Sequence, residues 1–284
     1  MPFINRCGGG TDAEAQGLKN IFNDLPGELI WNLERMPPNA FYEMPGVTKV
    51  TLTNMKSITT TSGTNHDWNY AFYGCDNLTE VYMPQVTDIT LGTTFYLTYR
   101  TLTNFYAPEL RLIDFNGRSM FNKTKWLKPA YCPKLETVKG TVFSDYTSTS
   151  AWSIAYPQIK YIEGLLCDNC KNLTQVTLAG LIGLGADETS ADYVFQDCEQ
   201  LITVDLGENL EYINQYALYS VSSLEKLIIR NPNGVIRMGG NATNHYGFSD
   251  TTPNETWYLY VPDDLVAGYK TTYELTRVKG LSEL

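Results

Sequence analysis

Ala71-Phe72-Tyr73-Gly74-Cys75-Asp76-Asn77-Leu78-Thr79-Glu80-Val81-Tyr82-Met83-Pro84 places its apolar side chains at intervals that recur along the chain. Counted from Leu78 and carried on through Val86 and Ile89, the apolar positions fall at -6, -3, 0, +3, +5, +8 and +11. The same frame fits Phe41, Met44, Val47, Val50, Leu52, Met55 and Ile58, and again Phe121, Leu127, Ala130, Cys132, Leu135 and Val138. It fits Cys167, Cys170, Leu173, Val176, Leu178, Leu181 and Leu184, then Phe195, Cys198, Leu201, Val204 and Leu206. Weaker copies run through Leu102, Phe105, Ala107, Leu110 and Ile113, through Ala151, Ile154, Tyr156, Ile159 and Ile162, and through Leu218, Val221, Leu224, Leu227 and Ile229. Leu259 and Val261, before Pro262, read as a last strand.

The +3 and +5 positions decide the local structure, because alternation over so short a run is the period of a strand. Val81, Met83, Val176, Leu178, Val204 and Leu206 are therefore expected inside, and Glu80, Tyr82, Gln175, Thr177, Thr203 and Asp205 outside. Each repeat contributes a strand to a parallel sheet, and since a lone repeat cannot bury its apolar face, stacked neighbours must supply the core. Pro84, Pro108, Pro133 and Pro157 share one frame position just after the strand, where a missing N–H ends the ladder and turns the chain. At the ends, Asp12 to Met36 carries Leu18, Ile21, Phe22, Leu25, Leu29 and Ile30 at mixed helical spacing, interrupted by Pro26, and predicts two short helices. Asp263-Asp264-Leu265-Val266 after Pro262 predicts a helix start with acids at its positive end, running toward Tyr273 and Leu275.

Composition narrows the function. Hydrophobic residues are 43% and charged residues 18%, which is globular and far from a disordered chain. A net charge of -10 and the lack of a basic stripe argue against nucleic acid, whose binding rests on Lys and Arg neutralising phosphates. No apolar run is long enough to span a bilayer, so membrane insertion is not expected. Met1-Pro2-Phe3-Ile4-Asn5-Arg6-Cys7 lacks the apolar core of a secretory signal. The following Gly8-Gly9-Gly10 reads as a flexible lead-in.

The strings AFYGCDNLTEVYMP (71–84), VFQDCEQLITVDL (194–206) and NCKNLTQVTL (169–178) resemble the BspA-like leucine-rich repeat, a family of bacterial surface proteins. Its repeats carry a Phe, a Cys and then a Leu-x-x-Val-x-Leu strand. The frame's anchors lie 22 to 31 residues apart, close to the roughly 20–29 of leucine-rich repeats. The fold expected is a mainly β repeat protein, a right-handed leucine-rich-repeat solenoid with one parallel sheet and short helical caps at both ends. Its expected divisions are a lead-in and helical cap over 1–37, about eight or nine repeats over 38–262, and a helical cap over 263–284. The resemblance implies adhesion to proteins or glycans, at the cell surface. The copies around Leu102 and Ala151 lack the Cys, and Thr59 to Asn69 and Asn231 to Asn244 read as inserted loops.

Candidate chemistry is sparse. Cys75, Cys170 and Cys198 share the -3 position, Cys167 takes the Phe position and Cys132 the +5 position, so they read as small core residues. Cys167-Asp-Asn-Cys170 is half of a zinc pattern with no second half, and no metal is expected. A stacked Cys170 and Cys198 disulfide stays geometrically open. His66 and His245 sit in polar stretches away from any nucleophile motif, and no cofactor fingerprint occurs, so neither catalytic residues nor a cofactor are expected. Asn77-Leu-Thr79 and Asn172-Leu-Thr174 match glycosylation sequons, but they read as turn chemistry before the strand and glycosylation is not expected.

One column rises above the scaffold. The +4 positions are Thr51, Tyr82, Tyr106, Tyr131, Ala155, Thr177, Asp205, Ile228 and, at the end, Tyr260, all expected outward. Tyr82, Tyr106 and Tyr131 predict a ladder, which either only packs across strands or binds a ligand with the neighbouring Glu80 and Asn104. The function expected is a non-enzymatic recognition or adhesion module of a bacterial surface or phage-associated protein, holding a protein or glycan on the sheet face and inserted loops. A passive spacer or assembly subunit is the alternative, and a glycan-active enzyme a remoter one.

Overall fold

Two hydrogen-bonded turns generate the repeat frame. In the first, the N–H of Leu78 donates to the carbonyl of Cys75 at 2.8 Å, Val47 to Met44 at 3.1 Å and Leu201 to Cys198 at 3.0 Å. The residues at -3 and 0 thus close a four-residue turn and both point inward, where all six are buried. In the second, Leu110 donates to Ala107, Leu135 to Cys132 and Leu181 to Leu178, at 3.1 to 3.2 Å. Pro108 and Pro133 are the second residues of their turns, a position that suits the fixed proline φ.

The computed structural model describes residues 3–4, 27–32, 34, 44–59, 72, 74–91, 101–115, 121–122, 131–145, 147–190, 192–239 and 257–284. They divide into two compact units, one of residues 1–135 with 140–148 and one of 136–139 with 149–284. In the first unit, parallel strands line up in the order Phe3–Ile4, Gly27–Trp31, Val47–Leu52, Glu80–Tyr82 and Asn104–Tyr106. A second parallel sheet there holds Ser57–Thr59, Asp88–Leu91 and Leu112–Phe115. In the second unit one sheet runs through Lys171–Leu178, Thr203–Leu206, Lys226–Ile229, Tyr258–Val261 and Val278–Gly280, and another through Thr137–Lys139, Tyr161–Glu163, Gly183–Leu184, Tyr212–Ile213 and Arg237–Met238.

The parallel-strand solenoid is thus as expected, but the single sheet is not. A repeat supplies strands to more than one sheet, because the chain alternates again after the second turn: Asp88-Ile89-Thr90-Leu91 buries Ile89 between half-exposed neighbours, and Phe121–Asn122, Phe143–Ser144 and Cys167–Asp168 form a further short sheet. Register is regular, Val50 facing Val81 and Val81 facing Phe105 in one unit, Val176 facing Val204 and then Leu227 in the other. Val81, Met83, Val176, Leu178, Val204 and Leu206 are buried, while Tyr82 and Gln175 are exposed and Glu80, Thr177, Thr203 and Asp205 half-exposed. One assigned anchor fails. Ala151 is exposed, and Ile154, Tyr156, Ile159 and Ile162 carry that repeat's core.

The helical cap expected at the C-terminal end is present in short form, whereas the described part of the N-terminal one is strand. Leu29 and Ile30 lie in the strand Gly27–Trp31, not in a helix, and this strand pairs with Val47–Leu52. Leu29 and Trp31 alternate inward there, so the available neighbouring strand overrides a mixed helical spacing. Leu18, Ile21, Phe22 and Leu25, like Cys7, His66, Leu127, Ala130 and His245, lie outside the described residues. At the other end a 3-10 turn at Asp263–Leu265, with Asp263 and Asp264 in its first turn, leads into the helix Val266–Thr272. The Tyr269 hydroxyl accepts from the Ile236 N–H at 3.1 Å and that of Tyr273 from Met238 at 3.0 Å, tying this segment to the neighbouring repeat. The segment then returns to strand, since Val278–Gly280 pairs with Tyr258–Val261.

Candidate recognition face

Strand register places the three tyrosines side by side. Tyr82 faces Tyr106, and Tyr106 forms a parallel bridge with Tyr131. The rings of Tyr82 and Tyr106 stack with centroids 4.7 Å apart and planes 19° apart, and those of Tyr106 and Tyr131 at 4.8 Å and 4°. These separations match the spacing of neighbouring strands, about 4.8 Å, so the backbone ladder dictates the stack. Tyr131 is 53% exposed and Tyr82 36%, with Tyr106 half-exposed between them. Desolvation, followed by the phenols of Tyr82 and Tyr131, raises the pKa of Tyr106.

Glu80 and Asn104 flank the ladder one pleat away. Asn104 Nδ2 donates to Glu80 Oε1 at 3.4 Å, and Lys49 Nζ lies 3.8 Å from Glu80 and 3.3 Å from Glu28. Beyond the strand, Lys134 pairs with Glu109 at 2.6 Å. The result is an aromatic column bordered by charged and amide groups. Because each ring covers its neighbour's face, a ligand meets ring edges and hydroxyls along most of the column, and open faces only at its ends.

The other end of the +4 series departs from expectation. Ile228 and Tyr260 are 3% and 6% exposed, although both occupy outward positions. The bidentate Arg230 to Asp205 pair, at 2.8 Å for both bonds, lies along one side of Ile228, whose lateral neighbours are Asp205 and Tyr260. Lys226 and Lys279 each lie 6.0 Å from the Tyr260 ring centroid. Two outward positions are thus buried, with long charged side chains of the same sheet beside them, which position alone could not reveal.

The sequence model of the BspA type leucine rich repeat region matches in six copies, over residues 28–150, 68–186 and 134–244. The chain belongs to the BspA-type leucine-rich repeat family. No curated protein matches it in sequence. BspA-type repeats account for the cysteines: Cys75, Cys132, Cys167, Cys170 and Cys198 are all buried free thiols. Cys198 Sγ donates to the Cys167 carbonyl at 3.7 Å. Burial pushes the Cys75 and Cys132 thiols up to about 12, against the weaker opposing pull of backbone hydrogen bonds. Among the described residues no cluster of metal-ligating side chains occurs. No described helix is long and apolar enough to cross a membrane. The Asn77 side chain donates to the Pro45 carbonyl at 2.7 Å, bridging adjacent BspA-type repeats as a turn residue does.

These thiols should react with a thiol reagent only on unfolding, since the thiolate is the reactive form and burial suppresses it. Labelling of the native chain followed by peptide mapping is expected to leave Cys75, Cys132 and Cys198 unmodified. Rapid native labelling of any of the three would contradict their place in the core.

Proposed function

We propose that this chain is a non-enzymatic recognition module of a bacterial surface or phage-associated protein, holding a protein or glycan ligand on the outward face of the strands Glu80–Tyr82 and Asn104–Tyr106 and at Tyr131. The observation that carries the reading is the tyrosine ladder. Three large, rigid, amphipathic side chains are held in one row by the backbone and left accessible, at little further entropic cost on binding. Glu80 and Asn104 supply the polar border that orients a ligand. The repeat family supports a role in protein interaction or adhesion.

The test is a glycan and host-protein array with the intact chain, repeated with Tyr82→Ser, Tyr106→Ser and Tyr131→Ser combined. Aromatic anchors contribute about 2 kcal/mol or more each where they are buried by a ligand, so a hit on this face should weaken more than tenfold. Stability should fall little, as cross-strand pairs are worth about 0.2–1 kcal/mol. Undiminished binding by a folded triple variant would move the ligand off this face.

A further inference from the structure

A second outward cluster, in the other unit, combines cations with aromatic rings. Lys279 Nζ lies 4.2 Å from the ring centroid of Tyr258 and 6.0 Å from that of Tyr260. The Arg277 guanidinium lies 5.6 Å from the Tyr258 centroid, and Lys226 Nζ 6.0 Å from that of Tyr260. The two ring centroids are 6.3 Å apart, so three positive charges gather around one pair of rings. Register builds the cluster: Lys226 faces Tyr258, and Tyr260 faces Lys279, across three consecutive strands.

Lys49, Lys139, Arg230 and Arg237 each face a carboxylate within 4 Å, whereas among the described residues none of Lys226, Arg277 and Lys279 does. Asp205, on the strand that pairs with Lys226–Ile229, is engaged by Arg230 in two hydrogen bonds. Lys279 lies on the last strand of the sheet order and Arg277 immediately precedes it, where basic residues discourage edge pairing. That role does not extend to Lys226, which is separated from the edge by the strand Tyr258–Val261.

We infer that Lys226, Arg277 and Lys279, braced on Tyr258 and Tyr260, form a binding site for the carboxylate or sulfate groups of an acidic saccharide. Cation–π contact holds the cationic heads in place while leaving their N–H donors free for an anion. The net acidity of the chain favours a short saccharide over an acidic protein. With a chain charge of -10, a large anionic partner is repelled, while a short oligosaccharide interacts within about one Debye length, about 8 Å, where the local cations dominate. The site is independent of the tyrosine ladder.

Titration calorimetry of the intact chain with short oligogalacturonate and with a short sulfated dextran oligosaccharide, against neutral dextran and polyglutamate of similar length, tests the site. Binding of either acidic saccharide and not of neutral dextran is expected, weakening severalfold on raising NaCl from 50 to 300 mM by about the order that loss of screened ion contacts implies. Lys226→Gln, Arg277→Gln and Lys279→Gln combined should weaken it at least about tenfold, the loss of one good charge-assisted contact. A control with Lys134→Gln, Lys139→Gln and Lys160→Gln changes net charge equally and should bind as the parent does, and so should the triple tyrosine variant. Neutral dextran binding equally, polyglutamate binding more tightly than the saccharides, or equal losses in the two lysine-containing triples would each overturn the inference. Circular dichroism melts show that each variant is folded. Loss of binding in the tyrosine variant alone would locate the saccharide on the ladder and remove this second site.

Discussion

Leu206→Ala is expected to lower the free energy of unfolding by about 2–5 kcal/mol. Leu206 is 0% exposed, and its lateral neighbours Leu178 and Ile229 are also 0% exposed, so the three form one stacked column through adjacent repeats. Removing the middle member leaves a hole whose walls are fixed by strand pairing on both sides. Little collapse is available, which is the condition for the upper part of that range. Urea unfolding followed by far-UV circular dichroism measures the change. Thr177→Ser, one residue from the column's Leu178 but on the half-exposed face, should stay within about 0.5 kcal/mol. A loss below about 1 kcal/mol for Leu206→Ala would show that this column is not close-packed.

The second large effect is alkaline. Cys75 and Cys132 titrate in the fold at about 12 against 9.0 when free, chiefly because burial penalises the thiolate. Below pH 9 each thiol is neutral in both states, and its contribution to stability is fully present. Above pH 9 the unfolded chain ionises while the folded chain does not, so each thiol lowers stability by about 1.4 kcal/mol per pH unit until its folded pKa is reached. At pH 11 the loss is on the order of 3 kcal/mol per thiol. Unfolding midpoints measured between pH 8 and 11 should fall steeply in the parent chain and less steeply in Cys132→Ala. Identical slopes in the two would mean that Cys132 ionises as freely in the fold as outside it.

Much of this architecture is legible before folding. The -3, 0, +3, +5 and +8 positions are set by two four-residue turns and a strand between them, all local features, so Cys75, Leu78, Val81 and Met83 could be placed inside from their spacing. The tyrosine ladder was legible for the same reason: once the frame aligns Tyr82, Tyr106 and Tyr131, parallel pairing in register makes them neighbours. Ring orientation was not. Stacking of the rings on one another turns edges and hydroxyls toward a ligand, and that choice depends on all three rings together.

Other features depend on lateral neighbours some 20 to 50 residues away in the chain. Leu29 and Ile30 have helical and strand readings of similar local merit, and the adjacent Val47–Leu52 ladder decides for strand. Asp88-Ile89-Thr90-Leu91 is too short to declare itself alone and becomes a strand by pairing with Ser57–Thr59 and Leu112–Phe115. Ile228 and Tyr260 hold outward positions by period, yet both are buried, and Lys226 and Lys279 from neighbouring strands lie beside the Tyr260 ring. The cationic cluster has the same origin, since Lys226, Tyr258 and Lys279 share no spacing that a repeat frame would pair. Backbone periodicity is a property of a few consecutive residues and can be read from them. Which long side chains meet on a sheet surface depends on the register of strands distant in sequence, and that is settled only when the repeats stack.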